Sequence, residues 1–514
     1  MTTLARPLKL IAARSWPVLI KIKGILFGIM VMGLGILLGY LFTSPESAEL
    51  AVSVLVIIVV MLVITNKPLN GVLVWLAFTA FIETWVNIPM GVGLPDLSFS
   101  RFTLAFLAIF MLAQAAVGKF RFARMGLVEV CIVATTLGIM ICAPLSTQPE
   151  DVLQSAITMH FTPLVLYFFT KNLVQTKSDF DRLFWVIAIL GFVFAAYILY
   201  EQTTGNILFL KKGVLLSYAQ YATTWYGHGL RIVRGLLGSG ANFGRALICT
   251  IPISFHLVFE SKSGIRKALL LGMVAVQFYG MFLTYNRTSW YSLLVGLTIM
   301  QFFYSKFRKT YLVIVVVAAV VLWATWDQVS ESTVVEERVN SKYSTLDSRE
   351  AHWQAGYNMW RAKPIRGWGF GRYETESGRF RTDGKRTNLP AIENDYLHIL
   401  VASGLLGLLP YLLFSLIPLL NSVRLFFRAR APGWSGFVRP EIIAVYWAVI
   451  IAFAIASYTR IHTEPLIKML PFAVTGAVVG TQECWLRVSR VRRHSAAHPR
   501  TTVVVAEREI SSRG

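Results

Sequence analysis

The chain has 514 residues, of which 55% are hydrophobic and 15% charged, and its formal net charge is +22. A soluble globular domain carries roughly 25% charged residues, and the mean hydropathy here is +0.59. Those values exclude a water-soluble fold.

The apolar residues fall in blocks of about 20, the length that crosses roughly 30 Å of hydrocarbon at 1.5 Å per residue. They lie at 24–42, 49–65, 70–87, 101–117, 125–143, 153–171, 182–200, 243–259, 267–284, 288–304, 309–326, 394–420, 441–459 and 466–485. The expected fold is therefore all-α and polytopic, with about fourteen transmembrane spans. The first block exceeds a signal-peptide core of roughly 7–15 apolar residues and has no small-residue cleavage site after it, so it reads as a retained helix. The expected organisation is a cytoplasmic N-terminus at 1–23, eleven spans over 24–326 with an outer loop at 201–242, a large, partly helical periplasmic loop at 327–393, three spans over 394–485, and a mobile cytoplasmic tail at 486–514.

Orientation follows from Lys and Arg, which collect on the cytoplasmic side. Arg6, Lys9, Arg14, Lys21 and Lys23 precede the first block, and alternate connections are basic: 119–124, 262–267, 306–309 and 424–439. The connections 44–49 and 143–151 contain neither Lys nor Arg. Both termini are expected in the cytoplasm of a bacterial inner membrane. Basic loops beside anionic headgroups account for the net charge, so no nucleic-acid partner is implied. Cys131, Cys142, Cys249 and Cys484 lie in or beside apolar blocks without paired spacing, which indicates neither a disulfide framework nor a zinc site.

Two long outer segments, 201–242 and 327–393, interrupt otherwise short connections, and long loops in compact architectures usually carry function. The second is basic, with Arg338, Lys342, Arg349, Arg361, Lys363, Arg366, Arg372, Arg379, Arg381, Lys385 and Arg386. Two readings stand: tolerance of charge in a long translocated loop, or an anionic ligand at the outer surface. Residues 347–360 read as a helix with Asp347 as N-cap and Glu350 three residues on. Trp353, Tyr357 and Trp360 share a face that suits the bilayer interface. Lys363-Pro364 ends the helix, and Gly367, Gly369 and Gly371 form a turn whose backbone could approach a ligand.

Four blocks in order resemble the O-antigen ligase and O-antigen polymerase superfamily, over about residues 230–410. They are Arg231-Ile-Val-Arg234-Gly235 to Asn242; Asn286-Arg287-Thr288-Ser289-Trp290; Arg349 to Trp360 with Lys363-Pro364 to Gly371; and Glu393-Asn394-Asp395-Tyr396-Leu397-His398 to Gly404 and Gly407. The resemblance implies transfer of a glycan from a polyprenyl (undecaprenyl or similar) diphosphate carrier to an acceptor glycan or lipid A core at the outer face. It also implies membrane lipids, and other polysaccharide export proteins, as partners. Family ligases carry a His before the Asn, where this chain has Glu393. That departure leans toward polymerisation of an O-antigen or exopolysaccharide, though the sequence does not separate polymerase from ligase.

The residues suit such chemistry in their own right. Guanidinium groups bind phosphate oxygens bidentately, and Arg231, Arg234, Arg287 and Arg349 are the candidate diphosphate ligands. Arg287 is nearly alone as a charge in its short connection, its other reading being an anchor that snorkels to the headgroups. The attacking hydroxyl needs a base, for which Glu393 is the first candidate and His398, His352 and His462 are others. The expected reaction is inverting displacement, with Glu393 and Arg287 catalytic and Asn242, Asn394, Tyr396, Trp353 and Gly367 supporting. It calls for no metal or cofactor. A transporter or flippase of lipid-linked glycan is the alternative, because Glu83, Glu129, His160 and His256 lie within or near spans, where ionisable groups often mark a transport path.

Overall fold

The computed structural model describes residues 45–83, 87–88, 97–146, 156–207, 233–324, 345–384, 386–432, 434, 436–459, 461 and 464–497. The expected first span at 24–42, Arg231, Arg338, Lys342, Lys385 and His462 lie outside the described residues.

The helices, in chain order, are α1 (Pro45–Asn66), α2 (Pro68–Ile82), α3 (Phe99–Ala116), α4 (Leu127–Cys142), α5 (Thr162–Leu173, preceded by a π-helical turn at Ile157–Phe161), α6 (Lys177–Thr204), α7 (Gly240–Glu260), α8 (Gly264–Leu283), α9 (Arg287–Phe303), α10 (Arg308–Ala324), α11 (Thr345–Ala362), α12 (Arg372–Glu376), α13 (Asp395–Ala429), α14 (Pro440–Thr459) and α15 (Pro465–Ala497). Every expected block after the first holds a helix. Among the described residues, 7 helices are long and apolar enough to cross a membrane, and three shorter apolar helices accompany them. The chain is a multi-pass helical membrane protein.

Local details differ from expectation. A two-stranded antiparallel ribbon, Asn87–Ile88 against Leu97–Ser98, joins α2 to α3. Helix α11 begins at Thr345, which puts Asp347 inside it and not at its cap. Helix α15 continues through Ala497, so the first part of the expected tail is helical.

Polar caps start the helices where the apolar pattern begins. Thr176 accepts from the amide of Asp179, whose carboxylate reaches back to the Thr176 amide and completes a capping box on α6. Asn286 Oδ1 accepts from the Ser289 amide on α9, and Asn394 Oδ1 from the Leu397 amide on α13. Helix α7 lies at the centre of the bundle, with 94% of its most apolar window buried. Lipid-facing α3 and α8 have 28% buried.

One end of the bundle is closed by ion pairs. Glu129 on α4 accepts from Lys171 Nζ at 2.6 Å and from Tyr167 at 3.0 Å, and Lys67 holds Asp179 at 2.8 Å. The 345–393 loop covers the other end.

Helix α13 is broken at Gly404, which has φ 60° and ψ −158°. The break removes the helical bonds from the amides of Leu405 and Leu406 to the carbonyls of Val401 and Ala402. The loop supplies all four replacements: Leu405 and Leu406 donate to Pro364 O (2.9 Å) and Ile365 O (3.1 Å), while Trp368 and Gly369 donate to Val401 O (2.9 Å) and Ala402 O (2.9 Å). Only glycine fits at the contact. A Cβ on Gly404 would stand 2.2 Å from Ile365 O, and one on Gly367 (φ +67°) 2.6 Å from Val401 O. The Gly-rich turn therefore spends its close backbone approach on α13.

Gly404→Ala places a side chain in a backbone region that is essentially glycine-only, at a cost of about 1–3 kcal/mol before the clash is counted. The expected outcome is a lowered unfolding temperature in detergent and faster proteolysis at 363–371. An unchanged melt with intact protection would show that the turn does not depend on the break.

Candidate functional site

The docked loop builds one wall of the candidate site. Helix α11 buries Ala355 and Met359 with Tyr373, Leu389, Ile392 and Val401 in a small core shared with α13. Trp353 and Trp360 are half-buried at the edge of that core, and Trp353 lies 5.2 Å, ring to ring, from Tyr458 at the end of α14. Tyr357 is exposed. The face expected to lie on the bilayer interface is thus divided, with its two tryptophans packed against protein.

Arg349, on the first half of α11, meets Glu393 across the loop, Nε to Oε2 at 3.0 Å, with the side chains 31% and 36% exposed. Glu393 has φ +54°, an uncommon conformation for a residue with a side chain. The structure thus joins the candidate base to a candidate phosphate ligand. Only Nε of Arg349 is engaged; its two terminal nitrogens have no partner among the described residues. One turn along α11, His352 Nδ1 donates to the carbonyl of Ala391. A carbonyl only accepts, so Nδ1 carries a proton. Tyr373 donates to His352 O at 3.0 Å, and burial pushes its phenol up, which keeps it a donor. Other loop arginines are spent on the fold: Arg372 on Leu145 O (2.9 Å), Arg379 on Glu376 (3.0 Å) and Arg381 on Asp383.

Just below Glu393, Asn394 caps α13 and is 5% exposed, so its side chain is committed to the backbone. Tyr396 is half-buried and donates to Ala454 O at 3.4 Å. Between them Asp395 points inward to Lys468 on α15, Oδ2 to Nζ at 3.0 Å, each side chain 1% exposed. The ammonium lies 5.7 Å from the centroid of Tyr411. His160, in the π-helical turn, and His398 both lie near Phe370, at 5.9 Å and 5.6 Å between ring centroids. Lys468 stands inside an apolar block, where no motif or spacing marks it. Asp395 was visible only as a letter in a motif.

The second wall comes from the ends of α6, α7, α8 and α9. Glu201 is 0% exposed and accepts the amides of Arg234 (2.9 Å) and Gly235 (3.1 Å). This buried carboxylate fixes the turn that carries half-buried Arg234. Asn242 donates to Leu237 O at 2.8 Å within the same turn, a structural bond. Arg245 is 2% exposed and Nη1 donates to Ile461 O at 2.9 Å, which ties α7 to the α14–α15 connection; the sequence reading missed it. A Cβ on Gly240 would stand 2.9 Å from Thr284 O and one on Gly238 3.8 Å from Glu464, so the 233–245 turn, the α8–α9 turn and the 461–464 connection adjoin. Arg287 opens α9, exposed, with no ion pair or hydrogen bond among the described residues.

The ionisable groups that suggested a transport path are scattered. Glu83 accepts from Ser98 (2.7 Å) and from the Ser100 amide (2.9 Å). Glu129 is paired at the opposite end, and His256 lies 3.5 Å from the Tyr304 hydroxyl.

A broken span filled by a basic loop, with arginines gathered at the same end, defines a multi-pass helical membrane protein with a basic surface at one end of its bundle. Residues 272–412 match the family model described as O-antigen ligase. That match, over this part of the chain, supports assignment to the O-antigen ligase and polymerase superfamily. It spans Arg287, the loop, Glu393 and Gly404, whereas Arg234, Asn242 and Lys468 fall outside it. No curated protein matches the chain.

Glu201→Gln leaves one of two buried amides without its carboxylate oxygen, which costs about 1–3 kcal/mol. Thermal unfolding in detergent should register that loss, and an unshifted transition would show that the turn is held by other contacts.

Proposed function

We propose that the chain transfers a glycan from a polyprenyl diphosphate carrier to an acceptor sugar at the outer face of the inner membrane. In this reading about fourteen spans place both termini in the cytoplasm and the 345–393 loop in the periplasm, as the alternation of basic connections supports. The observation that carries the proposal is the Arg349–Glu393 pair on a loop hydrogen-bonded into broken α13, within the stretch that matches the O-antigen ligase family.

The acceptor hydroxyl attacks the anomeric carbon from the face opposite the diphosphate. A new C–O bond forms, the bond to the diphosphate breaks, and its electron pair leaves on the phosphate oxygen. Configuration is inverted. The hydroxyl proton passes to Glu393, whose Oε1 stands free of the arginine. Arg287, exposed and without a partner among the described residues, takes the charge that grows on the diphosphate. Arg234 and the terminal nitrogens of Arg349 add further donors to phosphate oxygens, as does Arg231. The substitution of Glu393 for the ligase histidine favours polymerisation of lipid-linked repeats over delivery to lipid A core.

Glycan transfer in membranes from a polyprenyl diphosphate donor tests the roles. Arg287→Ala is expected to lower the rate roughly 10²–10³-fold, and Glu393→Ala roughly 10²–10⁴-fold, with part of the activity returning in Glu393→His. Full activity in either alanine variant removes that residue from the mechanism. Deleting the gene separates the two acceptor classes: loss of a polymerase leaves single repeats on the cell-surface acceptor, and loss of a ligase leaves long chains on the carrier.

A further inference from the structure

Asp395 and Lys468 form an ion pair at the loop end of the bundle in which each side chain is only 1% exposed. Neither occupies a place where packing alone calls for a charge. Lys468 stands in an apolar stretch near the start of α15, where the positive end of the helix dipole disfavours a cation. Asp395 is the first residue of α13, where the dipole favours an anion. Burying two ions costs so much desolvation that an apolar pair of similar volume is often as stable or more so. A retained buried pair is best explained by the geometry that it enforces.

That geometry bears on Glu393. Asp395 follows it by two residues, and the intervening Asn394 caps α13 through the Leu397 amide at 3.0 Å. Glu393 is held with φ +54°, so its direction depends on where the first turn of α13 is fixed. Lys468 fixes that turn to α15. The chain just before α15 is in turn bound to α7 through Arg245 and Ile461 O at 2.9 Å, next to the turns that carry Arg234 and Arg287. The ion pair is the buried charged link, beside the Trp353–Tyr458 and Tyr396–Ala454 contacts, through which the two walls share one frame.

We propose that Lys468 is a positioning residue for the transfer reaction, acting through Asp395 to aim the Glu393 carboxylate at the acceptor hydroxyl. This rests on the role proposed for Glu393. Lys468 itself touches neither substrate nor the reacting atoms, because its ammonium is enclosed by Asp395 and the Tyr411 ring, with His160 and His398 nearby.

The test replaces the pair with apolar residues, Lys468→Met with Asp395→Leu, so that neither charge is left alone in the interior, and combines this double variant with Glu393→Ala. The full-length protein is assayed for glycan transfer from a polyprenyl diphosphate donor, and hydrogen exchange is followed over residues 393–400. The expected result is a melting temperature within a few degrees of the parent, kcat lowered at least about tenfold with KM for the donor unchanged, and exchange at the Leu397 and His398 amides about tenfold faster. In the Glu393→Ala background the same replacement should lower kcat no further, since residues that act as a unit are not additive. A double variant with parental kcat, or slow exchange retained at those amides, overturns the proposal. So does a multiplied loss in the Glu393→Ala background, which places the pair on a separate function. Full activity of Glu393→Ala alone overturns instead the role of Glu393, and is told apart because it is read without touching the pair.

Discussion

A peptide group inside hydrocarbon has no water to bond, so a helix that breaks within a membrane must find other partners for every amide and carbonyl it frees. Helix α13 breaks at Gly404, and the four groups released there are met by the loop segment 364–369. The exchange is mutual, because the loop supplies two acceptors and two donors and satisfies its own backbone in doing so. Each unsatisfied group would cost several kcal/mol in an apolar surrounding, far more than one half-exposed ion pair contributes. The position of the loop is thus decided mainly by backbone hydrogen bonding, and its side chains follow.

The consequences run outward from that junction. Once Trp368 and Gly369 are bonded to α13, Phe370 is drawn to Ser146, its amide donating to the hydroxyl at 3.0 Å, and its ring lies near both His160 and His398. Helix α11 is then laid across the first turn of α13, close enough that a Cβ on Gly356 would meet Leu397 at 3.2 Å. Arg349 reaches Glu393 as a result of this stacking. The two ion pairs of the region differ in kind. Arg349–Glu393 is open to solvent, whereas Asp395–Lys468 is sealed and cannot lose one partner without stranding a buried charge.

The sequence made much of the scaffold legible and little of the joinery. Apolar blocks of span length locate helices because the bilayer imposes a length on each crossing, and Asn286 and Asn394 mark helix starts because their side chains suit caps. The glycines at 367, 369 and 404 were visible as a pattern, but a glycine announces only that something comes close, and here it is backbone from the same chain. The resemblance begins at about residue 230 and the family match at 272, so Arg231 and Arg234 stand outside the match. Glu201 and Arg245 escaped notice because a single charge at the edge of an apolar block looks like an anchor until its partner is known. Lys468 is the clearest case, since its partner is supplied by a different helix.

Preorganisation sorts the arginines into those that build and those that remain able to bind. Arg245 is buried against Ile461 O, Arg372 is bonded to Leu145 O after α4 and Arg381 to Asp383 of its own loop, so their donors are committed before any ligand arrives. Arg287 stands at the head of α9, on a turn held by Asn286 and packed against α7, with its fork open. A guanidinium on a rigid turn loses less freedom on meeting a phosphate than one on a mobile loop. The same reasoning separates the two carboxylates: Asp395 is locked where its charge is already neutralised, while Glu393 keeps one oxygen free at the surface of the junction. Rigid, buried charges set the frame, and in the proposed function the exposed ones mounted on it meet the ligand.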